Sequence, residues 1–207
     1  MDPDRILEID TPRGPARVHV QATGHARATL VLGHGAGGGV GSRDLVTAAR
    51  AALDEGLAVA LVEQPYRVAG RRSPPRAPQL DSAWTAVVDH LRDDELRGLP
   101  LVVGGRSSGA RVACRTAAAT GAAGVICLAF PLVPPGRRSG SPPPSRLPEL
   151  DGVAVPTLVV QGVRDAFGMP PPGPSRRVVQ VQGDHSLRTD LAALGDAVRA
   201  WLRELGL

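Results

Sequence analysis

Mainly apolar runs alternate with amphipathic stretches along most of the chain. Two short alternating segments, residues 6–9 and 17–21, flank Thr-Pro-Arg-Gly-Pro and predict a hairpin at the edge of a sheet. Runs over residues 28–32, 57–62, 101–103, 124–130, 155–160 and 177–181 read as further strands, most of them apolar enough to be buried on both faces. Between them, Leu45, Ala49, Ala52 and Leu53 share one helical face, and Leu80, Trp84, Val87, Val88 and Leu91 share another. A closing helix carries Leu191, Leu194, Val198, Trp201, Leu202 and Leu205. Strand and helix in turn predict an α/β fold with a mostly parallel central sheet and helices on both faces. Residues 131–148, dense in proline, glycine, serine and arginine, predict a surface loop too short for a cap domain. A length of 207 residues suits one domain, 1–207.

The sharpest local pattern follows the third of those apolar runs. Gly104-Gly105-Arg106-Ser107-Ser108-Gly109-Ala110-Arg111 lies between a strand pattern and an alanine-rich helical one, so it reads as strand, tight turn and helix with Ser107 at the tip. Small residues at 105 and 109 let the backbone turn and aim the first helix amides at the serine, where they would meet charge developing on an attacked carbonyl. Asp165 and His185 fall just past the ends of two later strand patterns. In a parallel sheet such ends converge on one edge, so the three residues are expected to meet there. A serine hydroxyl needs a base to take its proton, and His185 is the candidate. Asp165 would hold the imidazole in one tautomer and stabilise its charged form. Asp184 is nearer to His185 in sequence, but adjacent side chains rarely meet. One oxyanion donor is expected from the Ser108 amide and the other from Ala36, in the glycine loop Gly33-His34-Gly35-Ala36-Gly37-Gly38-Gly39. His34 is expected to shape that loop through its own side chain rather than act as the base. His19, His25 and His90 have no partner pattern.

Composition narrows the picture. All 24 basic residues are arginine and the net charge is only +4; with 2% aromatics there is neither a strong basic field nor a base-stacking platform, so no nucleic-acid partner is expected. The glycine loop lacks the phase of G-x-G-x-x-G and no G-K-[ST] follows, which argues against nucleotide phosphates. Cys114 and Cys127 read as small buried hydrophobes without disulfide or metal spacing, and no cofactor is expected. No apolar run has the length of a membrane span and residues 1–14 carry no signal-peptide pattern, so a cytoplasmic protein with no membrane partner is expected. Arg67, Arg71, Arg72 and Arg76 follow one strand and Arg137 and Arg138 another, in loops that should rim the catalytic edge. There Arg71 and Arg72 would bind an anionic part of a substrate, or else pack on prolines or pair with Glu63, Asp81 and Glu149. Tyr66 either offers its hydroxyl to a substrate or covers the sheet end. Arg106 is expected to pair with a structural acid.

The segments Val31 to Gly38, Pro65 to Pro75, Gly104 to Arg111, Leu128 to Gly136 and Gln161 to Gly168 resemble the α/β-hydrolase superfamily, and more narrowly its small dienelactone-hydrolase-related branch, over nearly the full chain. The resemblance implies a triad of Ser107, Asp165 and His185, the same residues that position selects. It implies a serine hydrolase of carboxylesterase type that cleaves small esters or thioesters through an acyl-enzyme on Ser107. Dienelactone hydrolases proper carry cysteine at the elbow, so lactone specificity is not carried over. The branch also includes components of larger assemblies. The alternatives are therefore a non-catalytic scaffold that binds a partner protein, or acyl transfer or perhydrolysis by the same triad. The expected partner is a small ester, with a homodimer left open.

Overall fold

The computed structural model describes residues 4–22, 25–94, 96–134 and 144–207. In chain order the strands are β1 (Arg5–Ile9), β2 (Ala16–Gln21), β3 (Ala28–Gly33), β4 (Leu57–Glu63), β5 (Leu101–Arg106), β6 (Gly124–Leu128), β7 (Thr157–Gly162) and β8 (Arg176–Val181). They form one sheet in the order β1-β2-β4-β3-β5-β6-β7-β8. The opening hairpin is antiparallel and β2 also meets β4 antiparallel, whereas every later pairing is parallel. From β3 the chain steps to β4 on one side and then returns to β5 on the other. The connections leaving β3 and β5 therefore run in opposite directions, which marks the carboxyl edge between them as the place where such a sheet takes a ligand.

The helices are α1 (Arg43–Asp54), α2 (Pro65–Val68), α3 (Ala77–Asp93), α4 (Ser108–Thr116), α5 (Leu147–Asp151) and α6 (Leu191–Leu205). Leu45 of α1 and Leu194, Val198 and Trp201 of α6 pack on Leu30, Leu32, Ile126 and Leu158 on one face of the sheet. Trp84, Val87 and Leu91 of α3 and Val112 of α4 pack on Val31, Val103, Val125 and Val159 on the other. Burial of β3, β5, β6 and β7 on both faces explains why they read as unbroken apolar runs. Cys114 of α4 and Cys127 of β6 are free and buried with their sulfurs 3.4 Å apart; that contact and burial push the Cys127 thiol well above the ordinary cysteine range.

Three details differ from the sequence reading. α2 and α5 are single helical turns with proline near the start, in stretches read as loop; a single turn is too short to show a 3.6-residue period. β6 ends at Leu128, before the expected Phe130, because Ala129 has φ 50° and turns the chain out of the strand. Arg137 and Arg138 lie outside the described residues. Among those described, no helix is long and apolar enough to cross a membrane.

Candidate active site

The turn between β5 and α4 is built by close backbone approach. A Cβ on Gly105 would lie 2.5 Å from the Gly33 carbonyl oxygen, and one on Gly109 would run into the same carbonyl. Only hydrogen fits at both places, so α4 can lean on the end of β3 while the intervening residue stands clear. Ser107 takes φ 51° and ψ −106°, a conformation that costs about 1–3 kcal/mol for a residue with a side chain. Its amide donates to Leu128 O at 2.9 Å, which ties the strained tip to β6.

Asp165 and His185, from the turns after β7 and β8, meet Ser107 at this edge. The imidazole Nε2 lies 2.9 Å from Ser107 Oγ, and Nδ1 lies 2.8 Å from Asp165 Oδ2. The Asp165 side chain is 1% exposed and that of His185 20% exposed, so the acid is shut off from water while the base stays reachable. Asp184, the acid adjacent to His185, turns instead to its own loop and accepts from the Ser186 amide and hydroxyl. Those bonds hold its carboxyl below the usual aspartate range. With the proton held on Nδ1 and donated to Asp165 Oδ2, the Nε2 lone pair faces the serine, which is the state a general base needs.

Two residues that sequence reasoning did not single out complete this half of the site. Gln161, at the end of β7, is fully buried, with its amide nitrogen 2.8 Å from Asp165 Oδ2, 2.9 Å from Gly168 O and 3.1 Å from Phe130 O. The Phe167 amide donates to Asp165 Oδ1 at 2.8 Å, and its ring lies over the His185 ring with centroids 4.3 Å apart. The acid is thus held at both oxygens and the imidazole is screened on one face. A glutamine four residues before the acid was the only trace of this in the sequence, and its strand position gave no reason to select it.

The glycine loop after β3 runs against the serine: a Cβ on Gly35 would sit 3.6 Å from Ser107 Cβ. His34 is buried and accepts from the Gln64 amide at Nε2, 3.1 Å away, so the ring proton sits on Nδ1 and is donated to Gly35 O at 2.8 Å. The Gly38 amide bonds to the same oxygen. Since N–H and C=O of one peptide point in opposite directions, pinning Gly35 O fixes where the Ala36 N–H is aimed. The expectation that His34 shapes the loop is met in this way. Tyr66 is 4% exposed and donates its hydroxyl to Ala36 O at 3.0 Å, which braces the loop. Burial pushes the Tyr66 hydroxyl up to about 12, which keeps it a donor. The Ser108 amide, first in α4, has no acceptor one turn back.

Burial holds His34 below the usual imidazole pKa, with Arg67 acting the same way and the bond to Gly35 and the charge of Glu63 acting against it. A depressed folded value means that stability is complete above about pH 6.5 and is lost as pH falls through the folded value. Melting temperature is expected to decline from about pH 6.5 downward, before most carboxylates titrate, and His34→Asn should flatten that decline. Equal slopes in both proteins would contradict the assignment.

The arginines divide into those that pair with acids and those that do not among the described residues. Arg106 does pair with a structural acid, Asp44 of α1, at 2.8 Å. Glu63 is taken by Arg17 and His19, Asp81 by Arg115, and Glu149 by Arg111 and Arg115. Burial works against the Glu149 charge, but the two guanidiniums outweigh it and hold its carboxyl below the usual glutamate range. Arg71, Arg72 and Arg76 make no ion pair among the described residues, and Arg71 lines a cavity of about 100 Å³ with Arg13, Tyr66 and Gln79. No group of three or more His, Cys, Asp or Glu among the described residues is placed to hold a metal ion.

A strained serine at the tip of a strand-turn-helix, bonded to a histidine and through it to a buried aspartate at the carboxyl edge of a mostly parallel sheet, defines the α/β class of serine hydrolases. Residues 26–194 match the family model described as "Alpha/beta hydrolase domain", and the chain belongs to that family. Similar solved structures include XC6422 from Xanthomonas campestris, described as a serine hydrolase without lid, at 21% identity over 99% of this chain and 95% of that one, with a TM-score of 0.76. Est1E from Butyrivibrio proteoclasticus is 16% identical over 97% and 98%, with a TM-score of 0.77. A dienelactone hydrolase from Anabaena variabilis is 17% identical over 99% of both chains, with a TM-score of 0.75. None of the curated proteins matches this sequence.

Proposed function

We propose that the protein hydrolyses small esters or thioesters through an acyl-enzyme on Ser107, and that its 207 residues form one domain. The observation that carries the reading is the unbroken chain of hydrogen bonds from Ser107 Oγ through His185 to Asp165. In the first half-reaction Ser107 Oγ attacks the carbonyl carbon as its proton passes to His185 Nε2. The resulting oxyanion is met by the Ser108 and Ala36 amides. Collapse expels the alcohol or thiol, which takes the proton from His185. Water then repeats the sequence on the acyl-enzyme and releases the acid. Asp165 stays ionised throughout and stabilises the imidazolium.

The absence of a large cap favours short acyl chains. Arg71 and Arg72, exposed and without an acidic partner among the described residues, are assigned to an anionic part of the substrate. Free, buried Cys114 and Cys127 support a cytoplasmic location. A p-nitrophenyl ester series tests the substrate reading: acetate and butyrate should turn over faster than octanoate. For an ester with a free carboxylate, Arg71→Ala with Arg72→Ala should raise KM by roughly 2- to 5-fold, the scale of exposed charge pairs. Preference for octanoate would overturn the short-chain assignment, and an unchanged KM would remove the arginines from it.

A further inference from the structure

We propose that Arg106 is a positioning residue, which together with Asp44 fixes the His185 segment and the glycine loop relative to Ser107. The proposal rests on the serine-hydrolase reading of the same site. Arg106 is the last residue of β5 and immediately precedes the strained serine, so its backbone position is set by the elbow itself. Its side chain reaches each of the other parts. Nε lies 2.8 Å from Asp44 Oδ2, Nη2 donates to the His185 carbonyl at 3.0 Å, and Nη1 lies where a Cβ on Gly35 would approach it to 2.7 Å.

The other bonds of the histidine turn leave the His185 carbonyl to Arg106. Gly183 O accepts from the Arg164 amide at 2.9 Å and Asp184 O from the Leu187 amide at 3.1 Å, while buried Leu187 anchors the far end. These fix where the turn begins and ends. The contact from Arg106 sets the plane of the His185 peptide, and with it the direction from which the imidazole reaches Ser107.

Burial explains why a charged pair does this work. The side chain of Asp44 is 2% exposed, so its charge is shut off from bulk water and relies on Arg106, whose side chain is 18% exposed. Asp44 also lies in the first turn of α1, where its negative charge suits the helix end, and its Oδ1 accepts from the Leu45 amide. The approach of Nε to Oδ2 is off the hydrogen-bond direction, so the contact is ionic. It holds the guanidinium in place and leaves its remaining donors to point elsewhere. A planar fork can face an acid with one edge and a carbonyl with another; a single ammonium group cannot reproduce that geometry.

The test compares wild type with Arg106→Lys, Arg106→Met and the double variant Arg106→Met with Asp44→Asn. The double variant removes the carboxylate that Arg106→Met strands, so it keeps the proposal falsifiable if the single variant does not fold. Two readouts are taken: steady-state hydrolysis of a short ester, and solvent exchange of the His185 Nδ1 proton by NMR, assigned from its loss in His185→Gln. The folded double variant is expected to lose about 10- to 100-fold in kcat with KM changed by less than about 2-fold, and to exchange the proton faster. Arg106→Lys should fall between it and wild type. Wild-type kcat and proton protection in the folded double variant would overturn the proposal. An inactive wild type whose Nδ1 proton is protected, and loses that protection in the double variant, would overturn the hydrolase reading and leave the positioning role standing.

Discussion

Ser107→Ala is expected to lower turnover of a short ester by about 10⁴-fold or more while the protein stays folded. Among the described residues the hydroxyl is the only group bonded to His185 Nε2, so none of them is placed to inherit the attack on the carbonyl. Ser108 and Ser186 are near in sequence, yet the Ser186 hydroxyl is bonded to Asp184 and Ser108 begins α4. The fold should tolerate the change. Alanine takes nearly the same φ at position 129 of this chain, at 50° against 51° for Ser107. The lost bond ends on a partly exposed imidazole that water can satisfy, so the stability change should be about 1 kcal/mol. Thermal unfolding together with kcat separates the two effects. A folded variant with more than a few per cent of wild-type activity would mean that the nucleophile is elsewhere.

Asp165→Asn should be nearly as damaging, about 10⁴-fold in kcat, with KM changed little. Both carboxylate oxygens are acceptors: Oδ2 faces His185 Nδ1 and the Gln161 amide, and Oδ1 takes the Phe167 N–H. An asparagine can satisfy only one side. If its oxygen takes the Phe167 N–H, its NH₂ meets the Gln161 amide and drives His185 to the tautomer that carries the proton on Nε2. That tautomer cannot accept a proton from Ser107. Kinetics on the folded variant, with the histidine tautomer read by nitrogen NMR, would measure both steps. A loss of less than about 10-fold would show that Asp165 does not set the tautomer.

The residues that carry bonds to Ser107 were legible in the sequence because few side chains can do their chemistry and because sheet topology limits where they lie. A serine inside G-R-S-S-G between a strand and a helix, with an acid and a histidine at later strand ends, leaves little choice of arrangement. His34 was legible through its place in a glycine loop. The supporting residues were not. The contact between Arg106 and Asp44 joins β5 to α1, and no local spacing records it. Gln161 reads as a polar residue at a strand end, and only the converging acceptors of two loops give it a task. Tyr66 was left between two directions because α2 is a single turn, and a single turn has no period from which to read a side-chain direction. Arg111 and Arg115 could have been foreseen as partners for acids, since they stand one turn apart on the same face of α4.

The most direct measurement of the central claim is intact mass after exposure to a fluorophosphonate, on wild type, Ser107→Ala and His185→Ala, each confirmed folded. A serine activated through His185 and Asp165 should take a single adduct in wild type and none in either variant. Failure of folded wild type to label, or labelling that persists in Ser107→Ala, would contradict the account.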